Sequence, residues 1–457
     1  MQPVIAWFGP VHAYAVYKKA AKHCPAYKTF LAEYKPKLLK FGQSFATIPE
    51  TNKENYVKKH SVESRCYNGA IPTHGVVIDE SSGSSGTPNN WVRGLKDRNE
   101  VKKLLQFSLA LTYHRQNIFF INCFALGPWA TGMNVSMSVA DVAILKSIGP
   151  DEKKLENTLR DFGTDYKYVV VGYPPFIKMF VNNTSLDLTK YKLHLITGGE
   201  AMSFGLRKYL SQYFNSIISS YGASDLDINI GFETEYTHAL GKACHENPAI
   251  AKELFGRDQA PMIFQYNPQD YYIELSDNNE LIFTICRLQS IAPKIRYNIR
   301  DNGGVLTTKQ ITERLKVLGI NIPAPKIHFP VLYVFGRADL SVPFYGAKIF
   351  TTDMDSILHE NIELSDKFYS FQLAVKENDD LEKNLIINLE LKPDCQNLTN
   401  ADLLKGFLFE KLKLINQDFR EVSKMFGPDK LIVNIFAYQT GPFKDRNINV
   451  KQKYIAS

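Results

Sequence analysis

The sequence predicts an α/β protein, with a large multilayer N-terminal α/β domain followed by a smaller α+β domain. Three observations support this prediction. The chain has 457 residues, which is too long for one ordinary domain. Strand-like and helix-like segments alternate from about residue 76 to residue 220, as in a layered domain with a largely parallel sheet. After Tyr271 the pattern changes to short strands that are typical of hairpins.

The N-terminal half supplies most of the alternating pattern. Residues 1 to about 70 are rich in Lys, Tyr and Phe at helical intervals, so this region is predicted to be helical. The predicted strands of this half are Val76–Ile78, Ile118–Phe124, Val142–Ile148, Tyr168–Val171, Lys192–Thr197 and Ser216–Ser220. The predicted helices are Asn99–His114, Glu152–Phe162 and Phe204–Phe214.

The C-terminal half is predicted to divide into a hairpin region and a small domain. Three strands are predicted around a turn at residues 276–279, namely Tyr271–Leu275, Glu280–Cys286 and Lys294–Tyr297. The elements predicted after Gly336 are strand Gln372–Val375, strand Asn384–Leu391, helix Ala401–Ile415 and strand Leu431–Phe436. We therefore expect a boundary near residues 336–339, with domains at 1–337 and 338–457.

Composition argues against several classes of protein. The net charge of +7 is modest for this length, and the scattered Lys and Arg residues favour a solvated surface over a nucleic-acid partner. The apolar run at residues 117–133 is interrupted and too short to span a bilayer, and the N-terminus lacks the pattern of a signal peptide. No membrane partner is therefore expected. Six widely spaced cysteines without a Cys-x-x-Cys pair indicate reduced thiols and predict a cytoplasmic location.

A Ser/Gly loop at residues 81–88 is the first segment with recognisable chemistry, and it follows the strand predicted at Val76–Ile78. Glycines let backbone N–H groups point at anionic oxygens, and hydroxyl side chains add further donors, so the loop suits a phosphate group. It lacks the Gly-Lys-Ser/Thr of a Walker A motif, which argues against a P-loop kinase fold. A flexible linker is the alternative interpretation.

Further short motifs follow this loop in a fixed order along the chain. The full set is Ser82-Gly-Ser-Ser-Gly-Thr-Pro88, Ile196-Thr-Gly-Gly-Glu200, Tyr221-Gly-Ala-Ser-Asp225, Ile295-Arg-Tyr-Asn-Ile-Arg-Asp301, and Gly336-Arg-Ala-Asp339 with Gly346-Ala-Lys-Ile-Phe350. This ordered set resembles the adenylate-forming superfamily of acyl- and aryl-CoA ligases and adenylation domains. With Val171-Gly-Tyr-Pro-Pro175 it is most similar to the phenylacetate-CoA ligase branch. The resemblance covers residues 81–451, nearly the whole chain.

The resemblance implies ATP and Mg²⁺ as cofactors, coenzyme A as co-substrate, and a small mobile domain that carries a catalytic lysine. The residues implied to bind the nucleotide are Ser82, Gly83, Ser84, Ser85, Gly86, Thr87, Gly198, Gly199, Glu200, Tyr221, Gly222, Ala223, Asp301 and Arg337. Ser224 is implied to contact the α-phosphate, and Asp225 is implied to hold the metal. Lys451 is the implied catalytic lysine, with Lys453 and Lys444 as alternatives, and Asp339 is the implied hinge.

A small carboxylic acid is the implied substrate, activated to an acyl-adenylate and then passed to a thiol. We expect an aromatic acid, because large apolar residues are available for its pocket, namely Phe124, Trp129, Tyr173 and Pro174. Three alternatives remain open: loading of an acyl carrier protein, transfer to an amine, and a non-catalytic nucleotide-binding protein. Two departures from the family pattern bear on the last of these, because Asn89 stands where a lysine often ends the loop and Asp225 replaces the usual glutamate.

Overall fold

The computed structural model describes most of the chain. The described ranges are residues 2–36, 39–81, 89–113, 117–127, 130–199, 201–337, 341–344, 347–377, 383–393, 395, 401–416, 419–420, 423 and 426–444. Helices and strands mix throughout them, so the predicted α/β class is confirmed.

The helices occur from one end of the described chain to the other. They are α1 (Gln2–His23), α2 (Pro25–Tyr34), α3 (Leu95–Tyr113), α4 (Ala130–Val139), α5 (Glu152–Phe162), α6 (Pro174–Asn183), α7 (Phe204–Leu210), α8 (Glu235–Glu246), α9 (Pro248–Phe255), α10 (Thr308–Val317), α11 (Thr351–Glu360), α12 (Ile362–Lys367) and α13 (Ala401–Ile415). Within the described ranges, none of these helices has the length and apolar character that crossing a bilayer requires.

The strands alternate with these helices. They are β1 (Val76–Ser81), β2 (Asn89–Gly94), β3 (Ile118–Asn122), β4 (Ile144–Ser147), β5 (Lys167–Gly172), β6 (Lys192–Thr197), β7 (Ser216–Tyr221), β8 (Gly231–Phe232), β9 (Met262–Tyr266), β10 (Tyr271–Leu275), β11 (Glu280–Ile285), β12 (Tyr297–Leu306), β13 (Val331–Arg337), β14 (Ser341–Phe344), β15 (Ala347–Phe350), β16 (Phe368–Glu377), β17 (Lys383–Leu391) and β18 (Leu431–Phe436).

The chain divides into two compact units, the first made of residues 1–199 and 213–336 and the second of residues 200–212 and 337–457. The second unit therefore takes in α7 from the middle of the chain. The domains expected from the sequence, 1–337 and 338–457, differ from these units by that segment and by residue 337. Their roles as a nucleotide-binding domain and a mobile lid remain predictions.

The first unit is built on one large sheet with the strand order β10-β11-β12-β13-β9-β8-β7-β6-β5-β3-β4. Strands β4, β3, β5, β6 and β7 pair in parallel. Every residue of β3 is buried, as is typical of a parallel sheet with helices on both faces. Beyond β7 the pairing through β8, β9 and β13 is antiparallel, as it is from β10 through β11 to β12. The expectation of a largely parallel sheet is thus correct for one half of the sheet only.

Many predicted elements match the structure closely, including the helix Glu152–Phe162 and the strand Lys192–Thr197. Asp151 explains the start of that helix, because its side chain accepts a hydrogen bond from the backbone N–H of Lys154. Gly163, with φ of 72°, explains its end.

The strand predicted at Lys294–Tyr297 is wrong. Arg296 has φ of 44°, which an extended strand excludes, and β12 begins only at Tyr297. The strand then runs through Gly303 and Gly304, although glycine is generally rare in strands. At both positions a side chain would collide with Tyr333 of the neighbouring β13, so the glycines are what allow the two strands to lie together.

The segment after the N-terminal helices is fastened to the start of β12. The backbone N–H of Thr51 donates to the carbonyl of Arg296 over 2.9 Å, and the N–H of Asn298 donates to the carbonyl of Thr51 over 2.8 Å. The Thr51 hydroxyl also donates to the carbonyl of Ile295, over 2.9 Å. These bonds fix the position of Lys53, which begins the next helical turn.

The second unit contains a sheet in the order β16-β17-β18, with an apolar core against α11 and α13. In this unit α7 packs closely on α11. A Cβ at Gly205 would lie 3.3 Å from side-chain atoms of His359 and Glu360, so only a small residue suits that position.

A substitution in β12 tests the close strand contact. We expect Gly303→Ala to lower the free energy of unfolding by about 3 kcal/mol, at the upper end of overpacking costs, because the added methyl meets the rigid carbonyl of Tyr333. Urea unfolding measures the loss. Gly406→Ala is the matched control: α13 leaves open space at this position, and alanine favours helix by about 1 kcal/mol. Equal stability of the two variants would contradict the assignment.

Candidate active site

Several residues singled out in the sequence follow neighbouring parallel strands. Phe124 lies just after β3, Tyr173 after β5, and Gly198 and Gly199 after β6. Because carboxyl ends of parallel strands share one edge of a sheet, these residues gather along it, where α/β proteins commonly bind ligands. The rings of Phe124 and Tyr173 meet edge to face, with centroids 5.0 Å apart.

Gly199, the second of two glycines after β6, allows the chain to approach Tyr173 closely. It has φ of +80°, and a Cβ on it would lie 2.7 Å from the Tyr173 ring. At Gly198 a Cβ would lie 3.6 Å from the Phe124 ring, an ordinary contact that a side chain could make. Pro174 is buried and starts α6, where proline suits the first helical turn. The structure therefore brings together three of the four residues predicted for an acid pocket.

Tyr221 and Asp301 come from different motifs and meet directly. The Tyr221 hydroxyl donates to a carboxylate oxygen of Asp301 over 2.7 Å, and both side chains are buried. Tyr221 ends β7 and Asp301 lies in β12, with β13, β9 and β8 between them in the sheet order. In a flat sheet four strand spacings would hold them about 19 Å apart. The sheet must therefore curl to bring the two motifs into one site.

The ring of Tyr221 is part of the core. It stacks on Phe264 and Phe283, with centroid distances of 5.6 Å and 6.4 Å, and only 7% of the residue is exposed. Because the ring is buried, the hydroxyl is the part of Tyr221 that makes its main polar contact in the site. In this conformation Tyr221 is better suited to positioning Asp301 than to stacking broadly on a base.

The chain makes a tight turn between β7 and β8, and this turn presents Ser224 and Asp225. The N–H of Ala223 donates to the carbonyl of Asp227 over 2.8 Å, and the N–H of Ile230 donates to that of Tyr221 over 2.8 Å. A side chain at Gly222 would collide with the backbone of residues 227–228, so glycine is required there.

The guanidinium of Arg93 holds this turn in place through hydrogen bonds to its carbonyls. One guanidinium nitrogen donates to the carbonyl of Ser224 over 2.6 Å, and another donates to the carbonyl of Leu226 over 2.5 Å. The same side chain pairs with the carboxylates of Asp79 and Asp227, the latter at 3.1 Å. A buried guanidinium with two carboxylates and two carbonyls is well satisfied, so its geometry is fixed.

Asp227 extends the network on the other side. It accepts from Arg287 over 2.6 Å and from the Tyr271 hydroxyl over 2.8 Å. Sequence reasoning missed Asp79, Arg93, Asp227 and Arg287. A usable signal was the charged Arg93 inside the strand Asn89–Gly94, because a buried charge in a strand needs a partner.

Asp225 is buried and has two polar contacts. Its Oδ2 accepts from the Tyr297 hydroxyl over 3.0 Å and lies 3.2 Å from the Lys53 ammonium. Among the described residues no cluster of three or more His, Cys, Asp or Glu side chains could hold a metal. One carboxylate nevertheless fits Mg²⁺ that arrives with a nucleotide, because that ion commonly takes one or two carboxylates plus substrate phosphates. Lys53 would compete for the same oxygen.

Several predicted residues lie outside the described ranges. They are Ser82, Gly83, Ser84, Ser85, Gly86, Thr87, Trp129, Glu200, Asp339, Lys451 and Lys453. Arg337 is the last residue of β13, and Lys444 is exposed. The assignments of all these residues stay predictions.

The Arg93 network can be tested by its effect on stability. We expect Arg93→Met to lower the free energy of unfolding by about 3–5 kcal/mol, because Asp79 and Asp227 lose a buried counter-charge. Arg160→Met is the control, since Arg160 pairs with Glu156 on an exposed helix face and its loss changes stability little. Urea unfolding compares the two variants, and similar values for both would refute the role of Arg93.

Comparison with known proteins bears on the fold. No protein-family model matches the sequence, and no curated protein matches it. Solved structures do match. A 2-hydroxyisobutyryl-CoA ligase in the postadenylation state, in complex with 2-HIB-AMP, is 14% identical with a TM-score of 0.67. The match covers 98% of this chain and 88% of that one.

Two further structures agree. The same ligase in an open conformation with 2-HIB-AMP and CoA is 13% identical, with a TM-score of 0.55 over 98% of this chain and 90% of that chain. An anthranilate CoA ligase in complex with anthranoyl-AMP is 10% identical, with a TM-score of 0.52 over 80% of this chain and 65% of that chain. The chain therefore has the two-domain fold of adenylate-forming CoA ligases.

Proposed function

We propose that this protein uses ATP to activate a small carboxylic acid as an acyl-adenylate and then transfers the acyl group to coenzyme A. The pairing of Tyr221 with Asp301 is the observation on which the proposal rests. Two motifs that are 80 residues apart in sequence meet there, beside the carboxyl ends of the parallel strands. The likeness in fold to ligases whose structures hold acyl-AMP compounds supports the same reaction class.

The nucleotide would lie along these strand ends. Asp301, held by Tyr221, would accept hydrogen bonds from the ribose hydroxyls, and Arg337 would also bind the ribose. Gly198, Gly199 and Glu200 would line the adenine pocket. The loop at residues 82–87 would bind phosphates through backbone N–H groups and hydroxyls. Ser224 would contact the α-phosphate.

Mg²⁺ would be held by Asp225 and would supply positive charge to the phosphates. The carboxylate of the acid attacks the α-phosphorus, and the bond from that phosphorus to the departing pyrophosphate breaks. Lys451 would stabilise the negative charge that builds up on the α-phosphate. Arg93 takes no part in the chemistry but keeps the Ser224 carbonyl, and hence the turn, in place.

The acid would sit among Phe124, Trp129, Tyr173 and Pro174. The edge-to-face contact of Phe124 with Tyr173 places two aromatic rings together, and aromatic rings pack well on an aromatic acid. This preference, with the Gly-Gly-Glu and Arg-Tyr-x-x-x-Asp forms of the motifs, supports a place in the phenylacetate-CoA ligase branch. A rotation about Asp339 would then admit coenzyme A, whose thiolate attacks the acyl carbonyl and releases AMP.

A reducing compartment suits the protein, because all six cysteines are free thiols and five of them are buried. We therefore propose a cytoplasmic location. An acyl carrier protein or an amine could replace coenzyme A as acceptor, and product analysis separates these cases.

A non-catalytic nucleotide-binding protein is the second candidate function. The ion pair between Lys53 and Asp225 favours it, because an ammonium occupies the carboxylate that the metal would use. Nucleotide binding without pyrophosphate exchange would identify this case.

The direct test of the function is an exchange assay. We expect ATP–pyrophosphate exchange to depend on both Mg²⁺ and an added acid, with aromatic acids ahead of aliphatic ones in a panel. Coenzyme A should then yield a thioester and AMP, which mass spectrometry detects. Exchange that no acid stimulates would rule out adenylation, and exchange without thioester would redirect the search to other acceptors.

The Tyr221–Asp301 bond offers a sharper kinetic test. We expect Tyr221→Phe to raise KM for ATP about tenfold, because a hydrogen bond to a carboxylate is lost, while KM for the acid stays unchanged. Tyr168→Phe is the matched control: its hydroxyl donates to Gly163 over 2.7 Å, near the opposite end of β5. Equal changes in both KM values, or equal effects of the two variants, would remove Tyr221 from the nucleotide site.

A further inference from the structure

Two cationic side chains contact the ring of one buried tryptophan in β2, the strand that follows the Ser/Gly loop in the sequence. Trp91, in β2, is 2% exposed. The Lys294 ammonium lies 3.9 Å from the centroid of its ring, and the Arg65 guanidinium lies 5.5 Å from the same centroid. Arg65 also donates to the carbonyl of Asn90 over 3.2 Å. Both cations are thus fixed to the first residues of β2.

Neighbouring cationic side chains have carboxylate partners. Arg93 pairs with Asp79 and Asp227, Arg287 with Asp227 and Asp270, and Lys53 with Asp225. Within the described part of the chain, Arg65 and Lys294 have no carboxylate oxygen within 4 Å. Contact with an aromatic face offsets only part of the cost of burying a charge.

Donor groups in the same cluster also lack acceptors. The Nε of Arg65 and the Nε1 of Trp91 are buried without a hydrogen-bond partner among the described residues. Arg65 itself is 7% exposed. Buried donors without acceptors are rare, and together with two cations that lack a carboxylate partner they indicate a place suited to an anion.

The cluster of Trp91, Lys294 and Arg65 is linked by contacts to Asp225, a residue of one of the sequence motifs. Trp91 is two residues beyond Asn89, at the end of the Ser/Gly loop, and its ring meets that of Tyr297 at a centroid distance of 6.2 Å. The Tyr297 hydroxyl in turn donates to Asp225. An anion bound beside Asp225 would therefore lie near Lys294 and Arg65.

We propose that Lys294 and Arg65 form an anion site for the phosphates of ATP, and so supply the positive charge that Asn89 does not. The assignment rests on the proposed function for the identity of the anion. Lys294 contributes an ammonium, and Arg65 contributes a guanidinium that also keeps Trp91 in place. Neither residue belongs to the motifs recognised in the sequence.

The charges around Lys294 give the site a dependence on pH. Burial lowers the pKa of Lys294 to about 7, and the guanidinium groups of Arg65 and Arg93 lower it in the same direction. Asp225 and Asp227 act in the opposite direction. The thiols of Cys24 and Cys66 also face this amine. The amine thus loses its proton as the pH rises through 7, and phosphate binding must restore that proton.

Equilibrium binding of ATP and of inorganic pyrophosphate to the full chain tests the site. At pH 7 we expect Lys294→Gln to weaken both affinities about tenfold or more, and Lys294→Arg to restore most of the loss. Lys58→Gln is the control, since Lys58 is an exposed lysine paired with Glu54. Lys294→Gln removes a charge that burial disfavours, so folding should be retained, and the melting temperature verifies this.

A pH series adds a result that a structural role would not produce. From pH 7 to pH 9 the wild-type affinity should fall relative to that of Lys294→Arg, by up to about tenfold per pH unit, because the guanidinium stays charged. The ligand's own titration is common to both proteins and cancels in the ratio. A ratio that does not change with pH would overturn the assignment of Lys294.

The outcomes also separate this site from the proposed function. Pyrophosphate binding that is lost in Lys294→Gln, in a protein without acid-dependent exchange, would uphold the anion site and reject the activity. Acid-dependent exchange together with unchanged affinities in Lys294→Gln would uphold the activity and reject the site.

Discussion

The buried guanidinium of Arg93 is the interaction on which the rest of the site depends. It joins β2, the strand that follows the Ser/Gly loop in the sequence, to the turn that carries Ser224 and Asp225. Its two carboxylate partners come from β1 and from the turn itself. A charge placed in the interior is costly without such partners, so the geometry of the turn and that of the strand pair are set together. The site is thus organised by electrostatics as well as by the sheet.

Curvature of the large sheet is the second constraint. The parallel strands alone would place Phe124, Tyr173 and Gly198 at one edge, as they do in other α/β proteins. They would not bring in Asp301, which belongs to the antiparallel half. The bond between Tyr221 and Asp301 requires the sheet to curl, and the glycines of β12 permit the tight strand contact on that side.

Much of the fold could be predicted from local patterns. Helix Glu152–Phe162 has a capping aspartate and a terminal glycine, and strand Lys192–Thr197 is a short apolar run, so neighbouring residues suffice to define both. Strand β12 could not be placed, because its Gly303 and Gly304 make sense only beside Tyr333 of another strand. For the candidate site, the motifs predicted Tyr221, Asp225 and Asp301. They predicted neither Arg93 nor Lys294, whose contacts are with residues distant in sequence.

The packing of α7 with the C-terminal unit has a consequence for how the chain matures. During synthesis α7 leaves the ribosome about 140 residues before α11, its partner in that unit, since Leu210 precedes Thr351 by that interval. The strands of the first unit can therefore pair before α11, the partner of α7, has been synthesised. Only when the last strands have emerged can the second unit assemble around this early segment. Translation thus imposes an order on the two units, and the surface of α7 around Gly205, which later packs on α11, is in the meantime available to chaperones.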